Sequence, residues 1–208
     1  MRLKRMLRTA ITLLLATALG AAMCAAVIER DPASPPPVLT PLEIGFAQDM
    51  TAHHQQAVTM TDMLAVDASP QVRALAEQIR FTQLAEIGQM TGWLQLADAA
   101  PAATQPMAWM TEPHSAAHHD GADHSTGMPG MATRDELARL QHATGRDNET
   151  LFLQLMTRHH QGGITMAAYA FQHAANDAVR RAATIMVSEQ TDEIQIMGVM
   201  LDPVRTPR

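Results

Sequence analysis

The stretch Phe46-Ala-Gln-Asp-Met50-Thr-Ala-His53-His54-Gln55-Gln-Ala-Val-Thr-Met60 returns as Phe152-Leu-Gln-Leu-Met156-Thr-Arg-His159-His160-Gln161-Gly-Gly-Ile-Thr-Met166, at an offset of 106 residues. A second set of matches follows at an offset of 107. Val72-Arg73, Gln83, Glu86-Ile87, Met90 and Leu94 correspond to Val179-Arg180, Gln190, Glu193-Ile194, Met197 and Leu201. The one-residue slip falls between the two segments of each copy. The repeated unit is therefore a pair of segments joined by a short turn, and self-similarity of this kind constrains the fold before any other feature.

Both segments read as helices. Phe46, Met50, His53, Ala57, Met60 and Leu64 recur at helical spacing, with His54 at the edge of the stripe. Thr40-Pro41 followed by Glu43 is a capping box with proline at the first helical position. Ala68-Ser69-Pro70 ends this helix and starts another, with Ser69 as its cap and an end near Asp98. Its stripe is Val72, Ala76, Ile79, Gln83, Glu86, Met90, Trp93 and Ala97. A third helix is predicted from about Thr133, where Glu136 completes another capping box. Thr144-Gly145-Arg146 interrupts it before a main segment from Asn148 to Ala175. A fourth runs from about Asp177 to Leu201 and is stopped by Pro203. The expected fold is all-α: an antiparallel four-helix bundle made of two duplicated helical hairpins.

Met1 to Arg8 carries Arg2, Lys4, Arg5 and Arg8 and no acid, and leads into the apolar run Ile11 to Ile28. Residues 1–28 read as a signal peptide or an N-terminal membrane anchor, and both readings place the rest of the chain outside the cytoplasm. The expected location is secreted, periplasmic or in the cell envelope. Residues 29–41 form a Pro-rich spacer, 42–201 the bundle, and 99–132 a His/Met-rich connector between its hairpins. Four of 15 basic residues and no acid lie in the first 26 positions, so the remainder moves from a formal charge of −6 to about −10. That argues against a nucleic-acid partner. Contact with a membrane is expected only through the N-terminal segment.

Cys24, within the apolar run, is the single cysteine. Beyond it neither disulfides nor thiolate metal sites are available. Methionine and histidine remain as soft and borderline donors, a set that selects copper above other metals. Met50, His53 and His54 stand at i, i+3 and i+4 and share one helical face. Met60 lies roughly 15 Å further along the axis and must serve a separate ion or one bridged to a neighbouring helix. The candidate ligands are thus Met50, His53, His54, Met60, Met156, His159, His160 and Met166, and the pair His53 and His159 is placed to meet across the bundle. Additional donors are Met90, Met197 and the connector residues His114, His118, His119 and His124.

A methionine stripe by itself is ordinary core filler, and a lone core histidine is usually a hydrogen-bonded structural residue. The in-register repetition of a His-His pair shifts the reading toward metal. Gln83, Glu86, Gln190 and Glu193 are polar positions on apolar stripes and need partners. Carboxylates accepting from imidazole N–H groups would fix the tautomer and orient the other nitrogen toward an ion. Pairing with each other or with arginines, or direct ligation of a harder ion, stays open. Di-iron chemistry is disfavoured because Glu-x-x-His occurs on none of the four helices. There is also no Gly-rich phosphate loop, no His-Glu-x-x-His and no convincing nucleophile triad.

The doubled Met-x-x-His-His with downstream Gln-x-x-Glu-Ile-x-x-Met resembles the DUF305 family over about residues 42–98 and 135–201. The resemblance implies a ferritin-like four-helix bundle, export, and copper binding by Met50, His53, His54 and Met60 with Met156, His159, His160 and Met166. Gly162-Gly163, where the first copy has Gln56-Ala57, departs from the repeat and costs helix stability of about 1 kcal/mol per glycine. It suits close helix approach or local flexibility. The reading at this level is a copper-binding protein, not a catalyst, that sequesters copper or passes it to a transporter or acceptor protein. Cu(I) is favoured over Cu(II) where methionine dominates. A cuproenzyme on the same bundle and a metal-free interaction bundle are the alternatives.

Overall fold

The computed structural model describes residues 38–110 and 127–202. Five helices and no strand are found among them: α1 (Pro41–Asp62), α2 (Pro70–Leu96), α3 (Arg134–His142), α4 (Gly145–His173) and α5 (Asp177–Leu201). The N-terminal segment and the connector histidines His114, His118, His119 and His124 lie outside the described residues. No helix among the described residues is long and apolar enough to cross a membrane.

The helix starts follow from local chemistry. Thr40 Oγ1 accepts from Glu43 N while Glu43 Oε2 accepts from Thr40 N at 2.7 Å. The same reciprocal pair joins Thr133 and Glu136. Glu43 does more than cap, since its second oxygen takes the Asn176 N–H at 2.6 Å and ties α1 to the start of α5. Burial pushes its carboxyl up, but the backbone N–H groups of Thr40 and Asn176 outweigh this and the net shift is downward. Ser69 stands at the N-cap of α2 without capping it through its side chain. Its N–H and hydroxyl go instead to the Glu149 carboxylate on α4. A tertiary partner has taken the atom that local chemistry reserves for the cap.

The interruption at Thr144-Gly145 separates α3 from α4. Gly145 adopts φ +53°, a left-handed value that glycine reaches without steric cost. Asn148, fully buried, holds this corner by donating to the carbonyls of Met63 and Leu140 and accepting from Ala65 N.

α1 packs on α2, α4 on α5, and α1 against α4 as the central pair, with α3 laid on α4. The core divides into two apolar clusters. One holds Phe46, Met50, Met90, Trp109, Met166 and Met186; the other holds Met60, Ile79, Leu140, Phe152, Met156 and Met197. Corresponding positions of the two copies occupy opposite clusters. Met50 shares a cluster with Met166, and Met60 with Met156, so α1 and α4 run antiparallel. On α2 the stripe closes with Leu94 rather than Trp93, which stays partly exposed.

Both described ends of the connector are fastened to α1. Asp49 Oδ2 accepts from Met107 N at 2.6 Å and from Trp109 Nε1 at 2.9 Å. Trp109 fills space between Phe46 and Tyr169, with ring centroids 5.6 Å from each, and a side chain at Gly45 would collide with it. At the other end, the Gln56 amide bonds both the N–H and the carbonyl of Ala132. Gly162 lets the Pro129-Gly130 backbone lie against α4, because a Cβ there would overlap the Pro129 carbonyl.

Gly162→Ala is therefore expected to lower stability by about 1–3 kcal/mol through overpacking. Gly88→Ala, with open space around its Cβ, should raise stability by up to about 1 kcal/mol. Denaturant midpoints of the two variants separate these effects. Glu136, held down to about 2 chiefly by its hydrogen bonds from Arg158, stabilises the fold above the ordinary carboxylate range. That contribution is lost as pH falls from about 4.5 toward 2, and acid titration of Glu136→Gln should show a shallower loss than wild type.

Candidate metal centre

Helical spacing puts His53 and His54 on the inner face of α1, between Met50 and Met60, and His159 and His160 on the inner face of α4. Because α1 and α4 are the antiparallel central pair, the four rings meet in one layer between the two apolar clusters. The His53 and His159 ring centroids are 3.7 Å apart with planes 32° from parallel. His54 stands 6.2 Å from His53, and His160 stands 6.3 Å from His159. All four are essentially inaccessible to solvent, including His54, which the periodicity set at the edge of its stripe.

Three of the four Nε2 atoms have a hydrogen-bond acceptor, and the fourth, on His54, lies beside a carboxylate without one. His53 Nε2 lies 3.1 Å from the Pro129 carbonyl, and His159 Nε2 lies 3.1 Å from the His53 carbonyl. A carbonyl can only accept, so both nitrogens carry the proton and donate it, leaving each Nδ1 with a free lone pair. His160 Nε2 lies 2.6 Å from Glu193 Oε2 on α5, and His54 Nε2 lies 2.7 Å from Glu86 Oε2 on α2. The Nδ1 atoms of all four rings are buried without a hydrogen-bond partner among the described residues. Buried polar atoms without partners are rare, and four in one layer call for an explanation.

Three of the four rings, His53, His54 and His159, are held uncharged. Burial first, and then the neighbouring His54, holds His53 down to about 3. Burial and His160 do the same to His54, also to about 3. Burial, followed by His53 and His160, pushes His159 well below 6.5. Neutral rings can stack at 3.7 Å; two imidazolium ions in a dry site would repel strongly. Burial, then the charge of Glu193, raises Glu86 to about 7. With His54 held neutral, its contact with Glu86 is not an ion pair between full charges.

The methionines Met50, Met60, Met90, Met156, Met166 and Met197 are all fully buried. Met50 and Met156 each stand three residues before the first histidine of their copy, which makes them its helical neighbours. Of the two glutamates, Glu193 is hydrogen-bonded to His160 and Glu86 lies 2.7 Å from His54 Nε2. Gln83 and Gln190, also buried, do not reach the imidazoles: the Gln83 carbonyl oxygen and both Gln190 amide atoms have no hydrogen-bond partner. Gln190 leans on Gly163, where a Cβ would meet its side chain. Among the described residues no three His, Asp or Glu side chains converge on a common point as they would around a hard ion.

Sequence reasoning missed Pro129, whose carbonyl fixes the His53 tautomer, and Asp49, which anchors the connector one turn before His53. Asp49 carried no clear signal, since Gln48 and Thr51, beside it and Met50, are polar as well. Nothing local marked Pro129.

His53 and His159 are expected to keep the Nε2–H tautomer and to show no titration between pH 5 and 8 in nitrogen-resolved NMR; a midpoint near 6.5 would contradict the burial argument. Because the unfolded chain takes up these protons below about 6.5 and the native layer does not, stability should fall as pH drops from there toward 3.

The sequence profile of DUF305, a domain of unknown function, matches residues 43–201. The fold is similar to a DUF305 protein of Streptomyces coelicolor described as secreted, at 38% identity and a TM-score of 0.65, covering 75% of this chain and 88% of that one. A DUF305 fragment from Deinococcus radiodurans is 30% identical over 80% of this chain and 98% of its own, also with a TM-score of 0.65. CopM, solved in Cu(II)-, Cu(I)- and Ag-bound forms, shares the fold. Its Cu(II) form is 24% identical, covers 76% of this chain and 95% of that one, and has a TM-score of 0.57. Among curated proteins none matches the chain.

Proposed function

The chain belongs to the DUF305 family, and from that premise we propose that it is an extracytoplasmic copper-binding protein that sequesters or carries copper. The observation that carries the reading is the layer of four buried imidazoles whose Nδ1 atoms have no hydrogen-bond partner. A metal ligand must be deprotonated, and burial keeps His53, His54 and His159 in that state. Thioethers at Met50 and Met156 stand one turn from the rings. Imidazole with thioether favours Cu(I), a soft ion that selects such ligands over carboxylates. The copper- and silver-bound forms of CopM support the choice of ion, and the secreted description of the Streptomyces protein supports the location.

In this reading His53, His54, His159 and His160 supply nitrogen and Met50, Met60, Met156 and Met166 supply sulfur. Met90 and Met197 lie in the same clusters and are further donors within reach of small rearrangements. Glu193 holds His160 at Nε2, leaving its Nδ1 for the ion, while Glu86 stands beside a His54 ring with both nitrogens free of hydrogen bonds. The connector histidines His114, His118, His119 and His124 would capture copper before it enters the bundle. A transporter or acceptor protein would receive it. The role is binding rather than catalysis.

Anaerobic Cu(I) titration should give saturable binding that weakens at least about tenfold, or 1.4 kcal/mol, in His53→Ala/His159→Ala. Met50→Leu/Met156→Leu nearly conserves volume and so keeps the fold; it should weaken Cu(I) more than Cu(II). Copper at about 100 times its Kd should stabilise the wild type by about 2.7 kcal/mol by mass action. Unchanged affinity in both double variants would place binding elsewhere in the chain.

A further inference from the structure

α2 and α5 are the outer helices of their hairpins, and an open groove of about 610 Å³ runs between them. Its walls carry Ala85, Glu86, Ile185 and Glu189, among others. Glu189 is solvent-exposed, Glu86 is only 12% exposed, and His54, 2.7 Å from the Glu86 carboxylate, is fully buried. Polar groups thus descend from solvent to the histidine layer in three steps. Glu193 stands beside this path at 3% exposure, with one carboxylate oxygen on His160. Burial and the charges of Glu86 and Glu193 raise the Glu189 carboxyl, which places the three acids within each other's field. Arg181 also lines the groove, but it lies two turns before Glu189 on α5, roughly 12 Å along the axis. The acidic end is the one that abuts His54.

An acidic cluster alone binds nothing in particular. Here it terminates on a buried ring whose Nδ1 has no partner, so the path leads to an unused ligand. Carboxylate oxygens suit a hydrated divalent ion better than a soft monovalent one, and a cleft lined by negative charge concentrates cations at its floor. We infer that the groove between α2 and α5 is the port through which Cu(II) reaches the buried layer, with Glu189 at the mouth and Glu86 passing the ion to His54. The inference rests on the copper reading above. It adds that Cu(II) exchanges water for carboxylate oxygen at Glu189 and Glu86 before it meets nitrogen. Entry is then limited by the carboxylate steps, while retention is set by the histidines and methionines.

The test is stopped-flow uptake of Cu(II) by the full chain at low ionic strength, following the kinetic phase that His53→Ala/His159→Ala abolishes. Glu189→Gln should slow that phase about threefold and Glu189→Lys about tenfold, within the range of electrostatic steering, with equilibrium stoichiometry unchanged. Both effects should vanish near 1 M salt, where the screening length is only about 3 Å. Ala85→Trp, which fills the groove without altering charge, should slow uptake at every salt concentration. Wild-type rates in the Glu189 variants and in Ala85→Trp would overturn the port while leaving the copper site standing. Absence of any Cu(II) phase in wild type would overturn the port, and the copper reading falls with it only where the anaerobic Cu(I) titration also shows no binding.

Discussion

The structure depends on burying four imidazoles in one layer, where the stacked pair His53 and His159 stays neutral. Two helices can bring His53 within 3.7 Å of His159 only if neither ring is charged, and burial ensures that. The remaining constraints follow. Three Nε2 atoms take acceptors, from the Pro129 carbonyl, the His53 carbonyl and Glu193, and Glu86 lies beside the fourth. The outer helices are needed because they deliver the two glutamates. The connector is needed because it delivers Pro129. Gly162 is needed because Pro129 must lie flat on α4.

The duplicated hairpin explains why the layer is balanced and why it is not perfectly symmetric. Met50, Met90 and Met166 fall in one cluster and Met156, Met197 and Met60 in the other, as two like hairpins packed head to tail require. The glutamates are matched as well, 2.7 Å from His54 and 2.6 Å from His160. The central pair is not matched. His53 bonds to the connector, whereas His159 bonds to the backbone of His53 itself. Glycine at 162 and 163, against Gln56 and Ala57, marks the copy over which the connector is laid. Gln56 remains a glutamine because its amide clamps Ala132.

Much of the bundle was legible because helix signals are local. The capping boxes at Thr40 and Thr133, the prolines opening α1 and α2, and the 3.6-residue stripes each depend on residues a few positions apart. The failures share a cause, since tertiary partners competed with local ones. Ser69 reads as a cap, but Glu149 from another helix claims it. Gln83 and Gln190 read like the glutamates beside them, yet the amides stay off the rings while the carboxylates reach them. In the site, the repeat exposed all four histidines, and helical geometry separated Met50 from Met60. The Pro129 carbonyl could not be read at all, because a backbone atom of a connector carries no sequence signature.

In the proposed function the buried layer holds copper through nitrogen atoms that have no hydrogen-bond partner. Diffraction data collected across the copper absorption edge from crystals of the copper-loaded protein test it most directly. The expected anomalous map has its strongest peak against Nδ1 of His53 or His159, with a methionine sulfur beside it. A map whose peaks all lie on the surface, with the histidine layer unchanged, would contradict it.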